Sequence, residues 1–307
     1  MLSANSLACE RNCLMIDKIG EYHVLGSLGK GAHSTILHIR RSADSKQYAL
    51  KIVPITSRED DKFLEQAEHE FRVAQKLTHA NLIKIHCLEK KRALGFFGVR
   101  ELRLLIDYVK GKTLDQFKII PISKLIQIFL QVAEGLAHMH RRDIYHGDLK
   151  PNNLMLSVTG EIKIIDYGLS WIKGEPKARI QGTPEYMAPE QITQRTVTEL
   201  TDLFNFGATM YRLVTFRNIP PMLSGQATLS TNAKAWQAML KPVRDLNPQA
   251  PMLLAKTIEH CLAHHPSQRP ASVLEVRDVL KHMADEVRRN EDERLENWDW
   301  SAEETSG

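Results

Sequence analysis

The 307-residue chain is 43% hydrophobic and 25% charged, and 41 Lys and Arg against 37 Asp and Glu leave a net charge of +4. These values are those of ordinary globular proteins and exclude a disordered, collagen-like or coiled-rod architecture, while a prior of about 150 residues per domain suits two compact units. The charge is too small to point to nucleic acid, and no apolar run reaches the roughly 20 residues that cross a bilayer.

Residues 1–15 include Arg11 but no continuous apolar stretch, so no secretory signal is expected. Cys9, Cys13, Cys87 and Cys261 read as free thiols of a reducing compartment. A soluble, cytoplasmic protein is the expectation. His138 and His140 lie two apart on an expected helix and lack the four-residue spacing of a helical zinc pair.

From 22 to about 107 the chain reads as short β segments with one helix inserted. Residues 34–39, 47–53, 83–88 and 102–106 are β-rich runs bounded by polar, Gly or Pro segments. The helix opens on Glu59-Asp60-Asp61 and ends near Lys76, a polarity that suits its dipole. Phe63, Ala67, Ala74 and Leu77 form its apolar stripe, and Glu70 sits in the middle of it. A carboxylate facing a core is costly unless paired. Two readings stand: an edge residue reaching solvent, or a buried carboxylate with a cationic partner, for which Lys51 on a neighbouring strand is the candidate.

Between the first two strands lies Leu28-Gly29-Lys30-Gly31-Ala32-His33-Ser34-Thr35-Ile36. Two glycines two apart let a backbone turn tightly and bring its N–H groups against phosphate oxygens, though a plain hairpin explains them as well. The strand–loop–strand setting argues against a dinucleotide-binding turn, which a helix must follow.

A polar connector at 107–111 leads into a mainly helical region, 114–286, in which Leu125, Phe129, Val132, Leu136 and Met139 make one amphipathic stripe. There Ile144-Tyr145-His146-Gly147-Asp148-Leu149-Lys150-Pro151-Asn152-Asn153-Leu154-Met155-Leu156 gathers His, Asp, Lys and Asn between short apolar strands, and Ile162–Ile165 runs into Asp166-Tyr167-Gly168. Two acids and an Asn amide at strand ends suit a hard, oxygen-ligated cation such as Mg²⁺.

These residues resemble a eukaryotic-like (Hanks-type) serine/threonine protein kinase over nearly the whole chain. The resemblance rests on Gly29-x-Gly31-x-x-Ser34-x-Ile36, Ala49-x-Lys51, Glu70, His146-Gly147-Asp148-x-Lys150-x-x-Asn153, Asp166-Tyr167-Gly168, Ala188-Pro189-Glu190, Asp202-x-Phe204-x-x-Gly207 and Arg269. It implies an α+β, protein-kinase-like two-lobe fold. A small antiparallel β lobe with one helix (18–106) would be joined by a hinge (107–113) to a larger, mainly helical lobe (114–286). An N-terminal extension (1–17) and an acidic tail (287–307) would flank them.

The resemblance also implies roles. Lys51 would hold the α- and β-phosphates of ATP and pair with Glu70; Asp148 would accept or orient the substrate hydroxyl proton; Lys150 would offset charge at the γ-phosphoryl group. Asn153 and Asp166 would bind Mg²⁺, with Mn²⁺ able to replace it. Leu28, Gly29 and Gly31 belong to the nucleotide loop, Ile36, Ala49 and Met155 would sandwich the adenine, and Asp107 and Val109 would offer it backbone groups, with Ile106 as gatekeeper. Glu190 and Arg269 would form a buried ion pair bracing the helical lobe.

Departures from the family pattern are informative. Ser34 replaces the third glycine, and Tyr167 replaces Phe with a hydroxyl that needs a partner if buried. Gly147 stands where the family usually has the Arg that receives an activation-loop phosphate. Residues 175–179 carry no hydroxyl, and Thr183 matches the threonine that contacts the catalytic Asp and Lys. This non-RD variant is therefore expected to act without activation-loop phosphorylation.

His-Gly-Asp also occurs in aminoglycoside-type small-molecule phosphotransferases, and a pseudokinase scaffold is the non-enzyme alternative. Residues 182–190, in the family a peptide-docking platform, argue for a protein substrate, and with Lys150 they match the serine/threonine subclass. Lys51, Asp148, Asn153 and Asp166 argue against the scaffold. Residues 291–307 hold seven acids against one Arg, a net −6 that leaves +10 on the rest. With Trp298 and Trp300, that tail is expected either to be solvated or to dock on the basic body or a partner.

Overall fold

The computed structural model describes residues 18–31, 33–92, 99–175, 181–222 and 231–296, the last six of these by backbone alone. Cys9, Cys13, Ala32, most of 175–179, Trp298 and Trp300 lie outside the described residues, and with them the tail-docking expectation. The chain forms two compact units, Met1–Glu68 with Ile85–Tyr108, and His69–Lys84 with Val109–Gly307.

In the first unit, β1 (Lys18–Ile19), β2 (Tyr22–Gly31), β3 (Ser34–Arg41), β4 (Gln47–Pro54), β5 (Ile85–Arg92) and β6 (Val99–Asp107) form one antiparallel sheet of order β1-β2-β3-β4-β6-β5. Opposed residues of an antiparallel pair share a face. Ile39 opposite Tyr48, and Leu50 opposite Leu105, accordingly meet with Ile19 and Tyr22 in one buried cluster.

After β4 the chain makes a short 3-10 turn, Arg58–Asp60, and enters α1 (Asp61–Ala74). Asp60 stops the turn from fraying, because its Oδ2 accepts from Thr56 N at 2.8 Å, Thr56 Oγ1 at 2.8 Å and Ser57 N at 2.9 Å. Those bonds hold its carboxyl down at about 2. The run expected as a strand from residue 83 begins only at Ile85, because Ile83 N donates instead to Ile164 O at 3.0 Å and Leu82 bridges Ile164.

The second unit holds β7 (Gly111–Thr113), α2 (Ile122–His140), β8 (Ile144–Tyr145), β9 (Leu154–Ser157), β10 (Ile162–Ile164), β11 (Trp171–Ile172), α3 (Pro189–Thr193), α4 (Glu199–Thr215), α5 (Ala233–Met239), α6 (Val243–Leu246), α7 (Met252–Cys261) and α8 (Val273–Glu296). β10, β9 and β7 form one small sheet, and β11 and β8 another. The expected stripe of α2 is buried from Leu125 to Met139, and Phe129 meets Phe206 of α4 edge-on at 6.2 Å. α4 is buried on nearly every side, the pattern of a core helix.

Candidate active site

In the first unit the glycine segment is a β-hairpin, as its strand–loop–strand setting predicts. Gly29 faces Ile36 and Gly31 faces Ser34, with a register break between Ser27 and Gly29 that leaves Leu28 bulged out and 46% exposed. A Cβ on Gly31 would stand 2.6 Å from Ser34 Oγ, so a larger residue there requires the serine hydroxyl to turn away. Ile36 lies opposite Lys51, Lys51 opposite Leu104, and Ala49 opposite Ile106. By the two-residue period of strands, Ile36, Ala49, Lys51 and Ile106 therefore occupy one face of the sheet, the reverse of the face with Tyr48 and Leu50. Asp107 ends β6, and its Oδ1 lies 2.6 Å from His86 Nε2.

In the second unit Asp148, Lys150, Asn153 and Asp166 are brought together around the β8–β9 connection. Asp148 Oδ2 accepts from Lys150 Nζ at 2.7 Å, and its Oδ1 accepts from Thr183 N at 2.9 Å. Lys150 Nζ also donates to Thr183 Oγ1 at 2.6 Å. One carboxylate, one ammonium and one threonine thus lock each other in place, and Asp148 is buried but for 6% of its surface. Thr183 contacts both the Asp and the Lys, as the resemblance implies.

Asn153 Nδ2 donates to Asp148 O at 2.9 Å, and Ile165 N donates to Asn153 O at 2.9 Å, which ties Asn153 to the residue before Asp166. The amide nitrogen is thereby committed and the amide oxygen is the end suited to a metal. Asp166 adopts φ +68°, a left-handed conformation uncommon outside glycine, and its Oδ1 accepts from Gly168 N at 3.0 Å. One carboxylate and one amide oxygen suit a hard divalent cation that takes its other ligands from phosphates and water. Among the described residues no group of three or more His, Cys, Asp and Glu forms a metal cage of its own.

Met155 lies in β9 between Thr113 and Lys163, and Val109, half-buried, precedes β7. Glu70 belongs to the part of α1 in the second unit and is only 3% exposed, so of its two sequence readings the solvent-edge one is set aside.

The His146–Gly147–Asp148 segment is held by α4. Asp202, fully buried, accepts from His146 N and Gly147 N at 2.8 Å each and lies 2.8 Å from His140 Nε2. Gly147 has φ +73°, so a residue without Cβ suits the turn that presents these N–H groups. Gln191 Nε2 donates to Gly147 O at 2.8 Å. Sequence reading missed Gln191, because nothing local distinguishes an amide one residue beyond Ala-Pro-Glu.

Tyr167 is buried and its hydroxyl donates to Ile83 O at 3.0 Å, which supplies the partner its phenol requires; burial pushes its pKa upward. Ser170 is buried as well, and among the described residues its hydroxyl has no hydrogen-bond partner. Arg269 makes two parallel bonds to Glu190, Nη1 to Oε1 at 2.7 Å and Nη2 to Oε2 at 2.9 Å, and its guanidinium lies 4.9 Å from the Phe204 ring centroid.

The family model described as protein kinase domain matches residues 22–283. The chain is 25% identical over 280 residues to Serine/threonine-protein kinase PrkC of Bacillus subtilis (strain 168), covering 89% of this chain and 42% of that protein. It is 29% identical over 279 residues to a probable serine/threonine-protein kinase of Dictyostelium discoideum, covering 87% and 52%. With Aurora kinase C of Mus musculus it shares 26% identity over 271 residues, covering 86% and 91%. Against the first two the chain spans only 42% and 52% of the relative's length.

Proposed function

The chain belongs to the protein kinase family, and we propose from that premise that it transfers the γ-phosphoryl group of ATP to serine and threonine hydroxyls of protein substrates. The observation that carries this reading is the Asp148–Lys150–Thr183 lock. Phosphoryl transfer needs little covalent chemistry from the protein; it needs positioning and charge stabilisation. A carboxylate fixed by an ammonium and a backbone N–H is a preorganised acceptor for a hydroxyl proton, and the same ammonium is placed to offset charge on the transferred group. The names of the relatives support serine and threonine as the acceptors.

In this reading Lys51 holds the α- and β-phosphates and Glu70 steadies it; the burial of Glu70 supports a paired carboxylate. Gly29 and Gly31 turn backbone N–H groups toward the phosphates. Leu28 belongs to the same nucleotide loop, and Ile36, Ala49 and Met155 enclose the adenine, to which Asp107 and Val109 offer backbone groups. Asn153 and Asp166 would hold Mg²⁺, or Mn²⁺ in its place, and that cation supplies charge neutralisation on the phosphates when bound. Among the described residues no helix is long and apolar enough to cross a membrane, and a cytoplasmic setting is part of the proposal.

Activity without activation-loop phosphorylation belongs to the same reading. The Arg that would receive a phosphate is Gly147, Ser170 is buried, and Thr183 is engaged by Asp148 and Lys150.

The test is a phosphotransfer assay on purified protein with labelled ATP, Mg²⁺ and a generic basic protein. Phosphoserine or phosphothreonine that disappears in Asp148→Ala, by about 10³-fold or more for loss of acid–base and positioning terms together, supports the proposal. Label on an aminoglycoside alone, or no label at all with folded protein, overturns it.

A further inference from the structure

The tip of the β2–β3 hairpin carries a side chain that the phosphotransfer scheme leaves unused. His33 Nε2 lies 3.0 Å from the carbonyl oxygen of Pro54, the last residue of β4, and 3.2 Å from Asp60 Oδ1. Its ring stacks on that of Phe63 in the first turn of α1, with centroids 4.0 Å apart and planes 13° from parallel. A carbonyl oxygen only accepts, so Nε2 carries the hydrogen and shares it between the carbonyl and the carboxylate. Asp60 is a reliable acceptor because its other oxygen is locked by Thr56 and Ser57.

The hairpin has reason to need a fastening. The last seven residues of β2, Leu25 to Gly31, are all exposed, three of them are glycines, and the strand is bulged at Leu28. Glycine loses more conformational freedom on ordering than any other residue, and poorly buried segments open locally at low free energy. Three contacts from one imidazole reach β4, the 3-10 turn and α1 from the point on the hairpin farthest from its paired ends.

We propose that His33 is a positioning residue for the nucleotide phosphates, fastening the glycine hairpin to the end of β4 and the start of α1 so that its backbone N–H groups are held ready for the phosphates. The nucleotide part of this inference rests on the phosphotransfer reading above; the fastening itself does not.

The experiment compares the full chain with His33→Ala and His33→Gln, the latter keeping an N–H donor without the ring. Amide hydrogen exchange over 26–36 is expected to quicken by about tenfold in His33→Ala, with an unchanged thermal midpoint showing that the fold is kept. KM for ATP is expected to rise about fivefold or more, as ordering of the loop is charged to binding, while KM for the protein substrate stays put and His33→Gln recovers part of both effects. Unchanged exchange overturns the fastening. Faster exchange with an unchanged KM for ATP overturns the positioning role. Faster exchange in a chain whose wild type binds no ATP and transfers no phosphate supports the fastening and overturns both the nucleotide role and the phosphotransfer reading.

Discussion

His138 faces the interior of the helical unit, 6% exposed, and its Nε2 accepts from Thr78 N at 3.2 Å. Burial, aided by the positive charge of Arg142, pulls its pKa down from 6.5 to about 4, and burial lowers that of neighbouring His79 as well. The imidazole is thus neutral in the folded chain over a range where the unfolded chain protonates it. Below pH 6.5 the unfolded state binds more protons, so the fold loses stability as pH falls from about 6.5 to about 4, and above 6.5 the effect vanishes. Denaturant titrations at pH 7, 5.5 and 4.5 should show a smaller loss in His138→Gln than in wild type; equal slopes would sink this account.

Other single residues show how local identity meets a distant demand. Gly147 matters because it accepts a left-handed backbone, φ +73°, that a residue with a Cβ rarely adopts. Tyr167 matters because its hydroxyl reaches Ile83 O, 84 positions away in sequence.

At the scale of an element, the stretch from Asp166 to Glu175 is held by bonds that require no phosphate. Ser170 N donates to Tyr167 O at 3.0 Å, Trp171 Nε1 donates to Glu175 O at 2.7 Å, and β11 pairs with β8. Within the second unit, His69 Nε2 lies 2.6 Å from Ser170 O and Arg72 lies 3.1 Å from Glu175, though that exposed pair contributes little. Ser170→Ala should therefore leave turnover near wild type before and after phosphatase treatment. Thermal stability should be equal or slightly higher, since a buried hydroxyl without a partner carries a penalty of about 1–3 kcal/mol. A hundredfold fall in turnover, by either route, would contradict this.

At the scale of the whole molecule, the fold is that of protein kinases: a small antiparallel β unit with one helix and a larger, mainly helical unit. The helical unit is braced by Glu190 and Arg269, separated by 79 positions and nearly fully buried. Thr201 Oγ1 also donates to Glu190 at 2.9 Å, and Arg269 Nη1 donates to Leu200 O at 2.7 Å. Removing one partner strands the other charge in a dry interior, and Arg269→Met should cost about 3–5 kcal/mol of unfolding free energy. Urea unfolding measures it, and a change below about 1 kcal/mol would show the brace to be dispensable.

What the sequence by itself determined is the run of strands with one helix inserted before about residue 107, the apolar stripe of α2, and the set of polar residues proposed to carry the chemistry. Two-residue alternation exposes β3, β4 and β6, a 3.6-residue period exposes α2, and polar residues packed between apolar strand ends stand out against any structural background. Only the tertiary structure decided where those residues point and what holds them. It turned Glu70 inward, gave the Tyr167 hydroxyl its carbonyl, set Gln191 and Asp202 under Gly147, closed Thr183 onto Asp148 and Lys150, and laid His33 on Phe63. The physical reason is the range of the interactions. A hydrophobic period acts between residues two to four apart, whereas Thr183 and Asp148 are 35 positions apart and Asp202 and Gly147 are 55. Such bonds exist only once the core has brought the segments together.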